Sequence, residues 1–144
     1  METTAKTPTH LWVVGILALL FNAMGAIDYL AMRFKMEAYI AQLTDEMLAY
    51  YDSFPVWMEI AWPLSVWSAV IGAVLLLMKN KMAITAFAVS TVAYLVAAVH
   101  TFGVNPPPEG VSTTGSTIFS VVIGVQLALL WYYARAMTAK GVLR

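Results

Sequence analysis

Apolar residues occur along this chain in four long runs that are separated by more polar connections. Each run is close to the roughly 20 residues with which an α-helix crosses about 30 Å of hydrocarbon. The runs cover residues 11–31, 56–78, 82–102 and 117–136. The pattern therefore predicts an all-α membrane protein, a four-transmembrane-helix bundle that uses residues 1–144 as a single domain.

The connection between the first two runs carries a helical pattern of its own. Its apolar residues recur at intervals of three and four, which is typical of an amphipathic helix. Thr44, followed by Asp45 and Glu46, has the form of a helix start, with a capping hydroxyl group and acidic residues in the first turn. We therefore expect an amphipathic helical segment over 35–53 on the membrane surface, either continuous or divided into two short helices.

The composition supports a location in a bilayer. Hydrophobic residues make up 61% of the chain and charged residues only 11%, well below the roughly 25% charged residues of soluble domains. The absence of cysteine excludes disulfides, thiolate metal sites and cysteine nucleophiles. A net charge of zero gives nucleic-acid binding no electrostatic basis. We expect the lipid bilayer, further copies of the chain or a larger membrane complex as partners.

The distribution of basic residues predicts the orientation, because Lys and Arg near helix ends accumulate on the cytoplasmic side. Only Arg33 and Lys35 belong to the first and third connections. The remaining basic residues lie near the two termini and in the short second connection, and they are Lys6, Lys79, Lys81, Arg135, Lys140 and Arg144. This asymmetry places both termini in the cytoplasm.

Three titratable residues within the apolar runs lie near the outer ends of their helices. Counted at 1.5 Å per residue, Asp28, Glu59 and His100 reach a similar depth. His100 shares its helix face with small residues that permit close packing, so we expect it to point inward. Asp28 lies on the flank of its helix face, and Glu59 lies nearly opposite the small residues of its helix.

Two interpretations of Glu59 follow from this geometry. In the first, Glu59 is an ordinary interface residue among Trp57 and Trp62, which belong to an aromatic belt. In the second, Pro63 bends the helix and turns Glu59 toward Asp28 and His100 around an outward-facing cavity. Tyr29, Trp57 and Trp62 are then available to stack on a sugar or an organic cation.

Two carboxylates and an imidazole are suited to binding a divalent cation or to relaying a proton. The residue spacing, however, contains no HExxH motif or other metal-ligand signature. His10 and His100 lie at opposite membrane faces and are therefore unable to hold one haem between them. Haem binding through a single axial histidine is not excluded by this argument. We expect no metal and no other cofactor.

Two amide side chains lie near the middle of their helices. Asn22 and Gln126 are costly to bury there without a partner, and the usual partner is a neighbouring helix. Gln126, however, lies nearly opposite the small-residue face of its own helix. The alternative is that Gln126 meets another subunit, and this position is one reason to expect an oligomer.

Three stretches of the chain carry a family resemblance. They read LWVVGILALLFNAMGAIDYLAMR over 11–33, FPVWMEIAWPLSVW over 54–67 and YARAMTAKGVLR over 133–144. With them the chain resembles, over almost its full length, a bacterial family of small four-helix inner-membrane proteins that are loosely named sugar transporters. The resemblance implies small-solute transport and supplies no site residues.

Two functional hypotheses follow. The first is a small-solute, sugar-like permease that works as a homo-oligomer, with a polar site formed from Asp28, Glu59 and His100. The second is an accessory or structural subunit of a larger membrane complex. An enzyme is not expected, because the chain contains no Ser–His–Asp arrangement, phosphate-binding glycine loop or metal signature.

Overall fold

A computed structural model describes residues 6–111 and 114–144, which form helices and no strand. Four helices are long and apolar enough to cross a membrane, which confirms the predicted all-α, four-helix membrane fold. The elements are α1 Thr9–Arg33, α2 Glu37–Ile40, α3 Asp45–Asp52, α4 Val56–Leu77, α5 Ala83–Val99 and α6 Thr114–Ala139. A π-helical turn, His100–Val104, continues α5 directly.

The two ends of the bundle differ in what they carry. At one end, which we call the terminal end, α1 and α5 begin and α4 and α6 finish. The opposite end, the loop end, carries α2, α3 and the connection 105–111. The segment predicted as a surface helix is divided into α2 and α3. Thr44 caps α3 as predicted, because its Oγ1 accepts a hydrogen bond of 3.2 Å from the Met47 amide.

The central helix of the bundle is α4, which packs against both α1 and α5, while α5 also packs against α6. Small residues allow the close approach of α4 and α5. A Cβ atom added at Gly72 would lie 2.7 Å from the Phe87 ring, so only glycine leaves room for this ring. Ser65 and Ser90 bind each other's carbonyl groups through their hydroxyls, at 3.1 and 2.6 Å. These bonds satisfy buried hydroxyl groups between two apolar helices.

The terminal end contains the most tightly packed part of the core. Leu11, Leu76 and Phe87 have no accessible surface there. Residues after α6 close this end, because the Arg144 amide donates to the Lys79 carbonyl and the Lys81 amide donates to the Arg144 carbonyl, both at 3.0 Å. The terminal end of the bundle is therefore filled by side chains and backbone.

Three helices end in the same left-handed turn. Lys35, Lys79 and Gly141 follow α1, α4 and α6 with φ angles of 47°, 57° and 76°. In each turn the next amide donates, at 2.9 Å, to the carbonyl five residues earlier in the chain. Such turns satisfy free carbonyl groups at a helix end and favour glycine, so the two lysines adopt a conformation that is costly for them.

Candidate functional site

Aromatic rings from three helices meet at the loop end. Trp62 of α4 stacks on Tyr51 of α3 with ring centroids 5.7 Å apart. Tyr29 of α1 and Phe54 contact Trp62 edge to face, at 5.2 and 6.1 Å. The offset and edge-to-face geometries are the favourable ones for aromatic pairs. The rings therefore hold α3 against the beginning of α4 and the end of α1.

Hydrogen bonds fix the position of α3 on the bundle. The buried Tyr50 hydroxyl donates to the carbonyl of Asn105, at 3.0 Å, in the connection after the π-helical turn. Ser53 follows the last residue of α3, and its hydroxyl donates to the Tyr50 carbonyl at 2.6 Å. Pro55 then precedes the first turn of α4, where the missing amide of a proline is tolerated. The loop between α1 and α4 is thus an ordered cover on the bundle.

Between this cover and the helices lies a cavity of about 320 Å³, which we call the loop cavity. Tyr29, Tyr51, Phe54 and Trp62 supply its aromatic lining. Aliphatic side chains complete the apolar part of the wall, and they include Met32, Ile40, Leu48 and Ile60. The volume lies at the lower end of the range of about 300–1,000 Å³ that is typical of small-molecule sites.

Four charged residues also line the loop cavity. Arg33 and Lys35 come from the end of α1 and the turn after it, whereas Asp52 ends α3 and Glu59 lies in the first turn of α4. All four side chains are exposed, so their charges are accessible to a solute in the cavity. We call the part of the wall supplied by α1 and its following turn the α1 side, and the part supplied by α3 and α4 the α3 and α4 side; the basic residues belong to the first and the acidic residues to the second.

Glu59 occupies the loop cavity without meeting the other two titratable candidates. Pro63 lies inside α4, which continues through it from Val56 to Leu77. Because proline has no amide hydrogen, the Glu59 carbonyl lacks its usual helical partner. Among the described residues, no three Asp, Glu or His side chains form a group that could hold a metal ion.

Asp28 lies outside the loop cavity and next to α2. Its carboxylate lies beside the Tyr39 hydroxyl, where burial, the hydrogen bond to Asp28 and its negative charge raise the pKa of Tyr39. Burial also raises the pKa of Tyr51, with a smaller contribution from the Asp28 charge. Both phenols therefore stay neutral near pH 7. Asp28 does not line the loop cavity itself, but its charge reaches Tyr51, which does.

His100 is buried on the other side of the aromatic rings, as its predicted inward orientation requires. Only 1% of its surface is exposed, and its Nδ1 has no hydrogen-bond partner among the described residues. The rings of Phe54 and Trp57 contact it edge to face at 5.2 and 5.3 Å. Tyr50 lies at 6.5 Å. The imidazole is thus enclosed by aromatic side chains at the point where α5 becomes a π-helix.

The structure places the six predicted candidates in three locations. Tyr29, Glu59 and Trp62 line the loop cavity. Trp57 and His100 contact each other behind it, and Asp28 lies beside α2. The hypothesis of one site shared by Asp28, Glu59 and His100 is therefore replaced by a cavity in which only Glu59 takes part.

The two mid-helix amides bind each other. Gln126 donates from Nε2 to Oδ1 of Asn22 at 3.1 Å, and Asn22 donates from Nδ2 to Oε1 of Gln126 at 3.3 Å. Asn22 also donates to the carbonyl of Ala18, at 2.8 Å. Gln126 thus has its amide partner on α1 of the same chain, so the need to satisfy this amide gives no reason to expect another subunit.

Sequence reasoning missed five of the charged and aromatic residues that line the loop cavity. They are Arg33, Lys35, Tyr51, Asp52 and Phe54. In the sequence, Arg33 and Lys35 bear on the orientation in the membrane, and Tyr51 and Phe54 belong to the amphipathic pattern of the first connection. The spacing of these residues along the chain contains no sign of a common site, because the fold of the loop brings them together.

Comparisons with family models, with curated proteins and with solved structures find no match for this chain. The resemblance to small sugar-transporter-like proteins therefore stays a prediction. The functional argument depends on the geometry of the loop cavity.

Proposed function

We propose that this membrane protein is a permease-like protein that binds a small polar solute in the loop cavity. The observation that carries the proposal is the presence of Glu59, Tyr29 and Trp62 in one cavity of suitable size. Aromatic rings offer flat faces for stacking, and charged groups offer hydrogen bonds that orient a polar solute. The cavity thus combines the two kinds of contact that small-solute sites use.

The proposal includes a homo-oligomer in the bacterial inner membrane, with the termini in the cytoplasm and the loop cavity facing outward. One copy is tightly packed at its terminal end, where Leu11, Leu76 and Phe87 are fully buried. Transporters commonly place a solute between two related halves that move against each other. A second copy would supply the other half, because a single bundle of four helices has little room for a pathway.

A second candidate function, an accessory subunit of a larger membrane complex, is supported by a groove between α1 and α6. The groove measures about 780 Å³ and is almost entirely apolar. Exposed side chains on both of its sides include Leu17, Leu20, Leu129 and Tyr132. A transmembrane helix of another protein would bury this surface. Mass determination of the gently purified complex distinguishes a homo-oligomer from an assembly that contains a foreign subunit.

Ligand-induced thermal stabilisation of the purified protein tests the main proposal. A panel of small polar solutes should include at least one that raises the Tm of the wild-type protein. Glu59→Gln and Trp62→Leu should each remove this increase, since both side chains line the cavity. Glu109→Gln and Trp57→Leu are matched controls outside the cavity lining and should retain it.

The proposal fails if no solute raises the Tm, or if the cavity variants and the controls lose stabilisation equally. Comparing each variant with and without solute removes the effect of the substitution on basal stability. The result therefore reports on binding and not on folding.

A further inference from the structure

The basic and the acidic residues of the loop cavity come from different elements, and this arrangement specifies a ligand class. We propose that the cavity selects a zwitterion, a group in which an ammonium and a phosphate or carboxylate are separated by a few atoms. This inference rests on the proposed function, because it names the solute class of the same cavity. It is carried by the four charged residues together with the aromatic lining.

The α3 and α4 side of the cavity suits the ammonium. Asp52 and Glu59 provide two carboxylates there. Tyr51 and Trp62 stack at 5.7 Å, and Phe54 contacts both rings, at 5.4 and 6.1 Å. Aromatic faces attract cations, most strongly where water is partly displaced. The carboxylates and the aromatic rings of this side thus both favour the binding of a positively charged group.

The α1 side suits the anionic end of the ligand. Arg33 is the last residue of α1, and Lys35 follows it in the left-handed turn. A guanidinium group binds phosphate or carboxylate through two parallel hydrogen bonds, and a lysine adds a second positive charge. Because the turn is ordered by the helix-ending hydrogen bonds after α1, both cations are held near the same edge of the cavity.

A zwitterion fits these charges better than the other solute classes. A simple cation would approach Arg33 and Lys35, and a simple anion would approach Asp52 and Glu59, so each meets repulsion on one side. A neutral sugar would leave all four charges without an opposite charge. The loop cavity lies beside the ends of membrane-spanning helices, so the zwitterion has two sources, a free solute or the headgroup of a membrane lipid.

Thermal stabilisation in a polyoxyethylene detergent tests the proposal, since this detergent has neither a sugar nor a zwitterionic headgroup. The soluble probes are phosphocholine, glycine betaine, choline, inorganic phosphate and glucose. The lipid probes are nanodiscs of phosphatidylethanolamine and of phosphatidylglycerol. We expect phosphocholine or glycine betaine to stabilise the protein at concentrations at which choline, phosphate and glucose do not.

Charge variants then test both sides of the cavity. Glu59→Gln should weaken zwitterion binding about 3- to 10-fold and improve the binding of phosphate relative to the wild type, as expected for a partly exposed charge. Arg33→Gln should weaken zwitterion binding by a similar factor and improve the binding of choline instead. Glu109→Gln and Lys81→Gln, which do not line the cavity, should leave both affinities unchanged.

The outcomes separate the ligand sources and the two proposals. Stabilisation by a soluble zwitterion supports a free solute as the ligand. Stabilisation that occurs only in phosphatidylethanolamine nanodiscs supports a lipid headgroup, provided that Glu59→Gln and Arg33→Gln weaken it in the same way. Stabilisation by glucose alone overturns the zwitterion while the proposed solute site stands. Stabilisation by none of the probes, or equal effects of Glu59→Gln and Arg33→Gln on choline and phosphate, also overturns the zwitterion. The proposed function fails separately, if the wider panel of polar solutes is also without effect or if the cavity variants and the controls lose stabilisation equally.

Discussion

The reciprocal amide pair between Asn22 and Gln126 predicts an energetic coupling between α1 and α6. Replacing Gln126 with Leu removes two hydrogen bonds, of 3.1 and 3.3 Å, and leaves the Asn22 carbonyl oxygen without this partner. Asn22 is only 8% exposed, and its amide nitrogen keeps its bond to the Ala18 carbonyl at 2.8 Å. The substitution therefore leaves Asn22 half satisfied.

The magnitude follows from measured hydrogen bonds between membrane helices. Each contributes about 0.6 kcal/mol on average and about 1.7 kcal/mol at most, so two reciprocal bonds should couple the residues by about 1–2 kcal/mol. We expect Gln126→Leu and Asn22→Leu each to lower the free energy of unfolding by about this amount. The double variant should lose little more than either single variant, because the interaction is already absent.

Equilibrium unfolding in mixed micelles, followed by tryptophan fluorescence, measures the four free energies of this double-mutant cycle. Gln42→Leu is the matched control, because the Gln42 amide donates at 3.1 Å to the Ala38 carbonyl on the exposed surface of the loop. The control should change the free energy of unfolding by less than about 0.5 kcal/mol.

A coupling energy near zero would refute the reasoning. So would a Gln126→Leu variant that is as stable as the wild type but changes the oligomeric state. The second result would place the Gln126 amide at a contact between copies, which was the alternative open from the sequence.

Three further predictions concern other parts of the chain. Gly72→Ala should lower the free energy of unfolding by about 1–3 kcal/mol, because the new Cβ would lie 2.7 Å from the Phe87 ring. The control Gly25→Ala, whose new Cβ meets nothing within 4 Å, should raise the free energy of unfolding by about 0.5–1 kcal/mol. Equal effects of the two substitutions would contradict the packing argument. Lys79→Gly should raise the unfolding midpoint, since glycine removes about 1–2 kcal/mol of strain at a φ of 57°, whereas Lys79→Ala should not. The free energy of unfolding should fall as the pH rises above about 10, because tyrosine then ionises in the unfolded chain while burial keeps Tyr51 neutral in the folded protein. If a Tyr51→Phe variant loses stability equally steeply, this phenol does not contribute to the fall.

Small residues on the helix faces illustrate how much of the packing is readable from the sequence. Ser90, Ala93 and His100, at intervals of three and seven residues, share one face of α5 and the π-helical turn that continues it, and all three are buried. Helical periodicity alone predicts which of these residues are buried, because burial along one helix depends on the angle around its axis. It did not show that Ser65 is the partner of Ser90, since a partner on another helix depends on the packing of the two helices.

Depth along a helix was a weaker guide to the site. Asp28, Glu59 and His100 were expected at a similar level, but a shared level does not bring side chains together when they project at different angles. Asp28 lies beside Tyr39 and His100 lies against Trp57, whereas Glu59 faces the loop cavity. Angular position around each axis decided this outcome.

The sequence by itself determined the class of this protein, its four long helices and the start of α3 at Thr44, because hydrophobic length and capping are local properties of the chain. Only the tertiary structure decided that Gln126 meets Asn22 within the bundle and that Arg33 and Glu59 share a cavity. The physical reason is that these contacts join residues far apart in the chain. The first contact needs α1 packed beside α6, and the second needs the loop that carries α3 to be folded over the ends of α1 and α4.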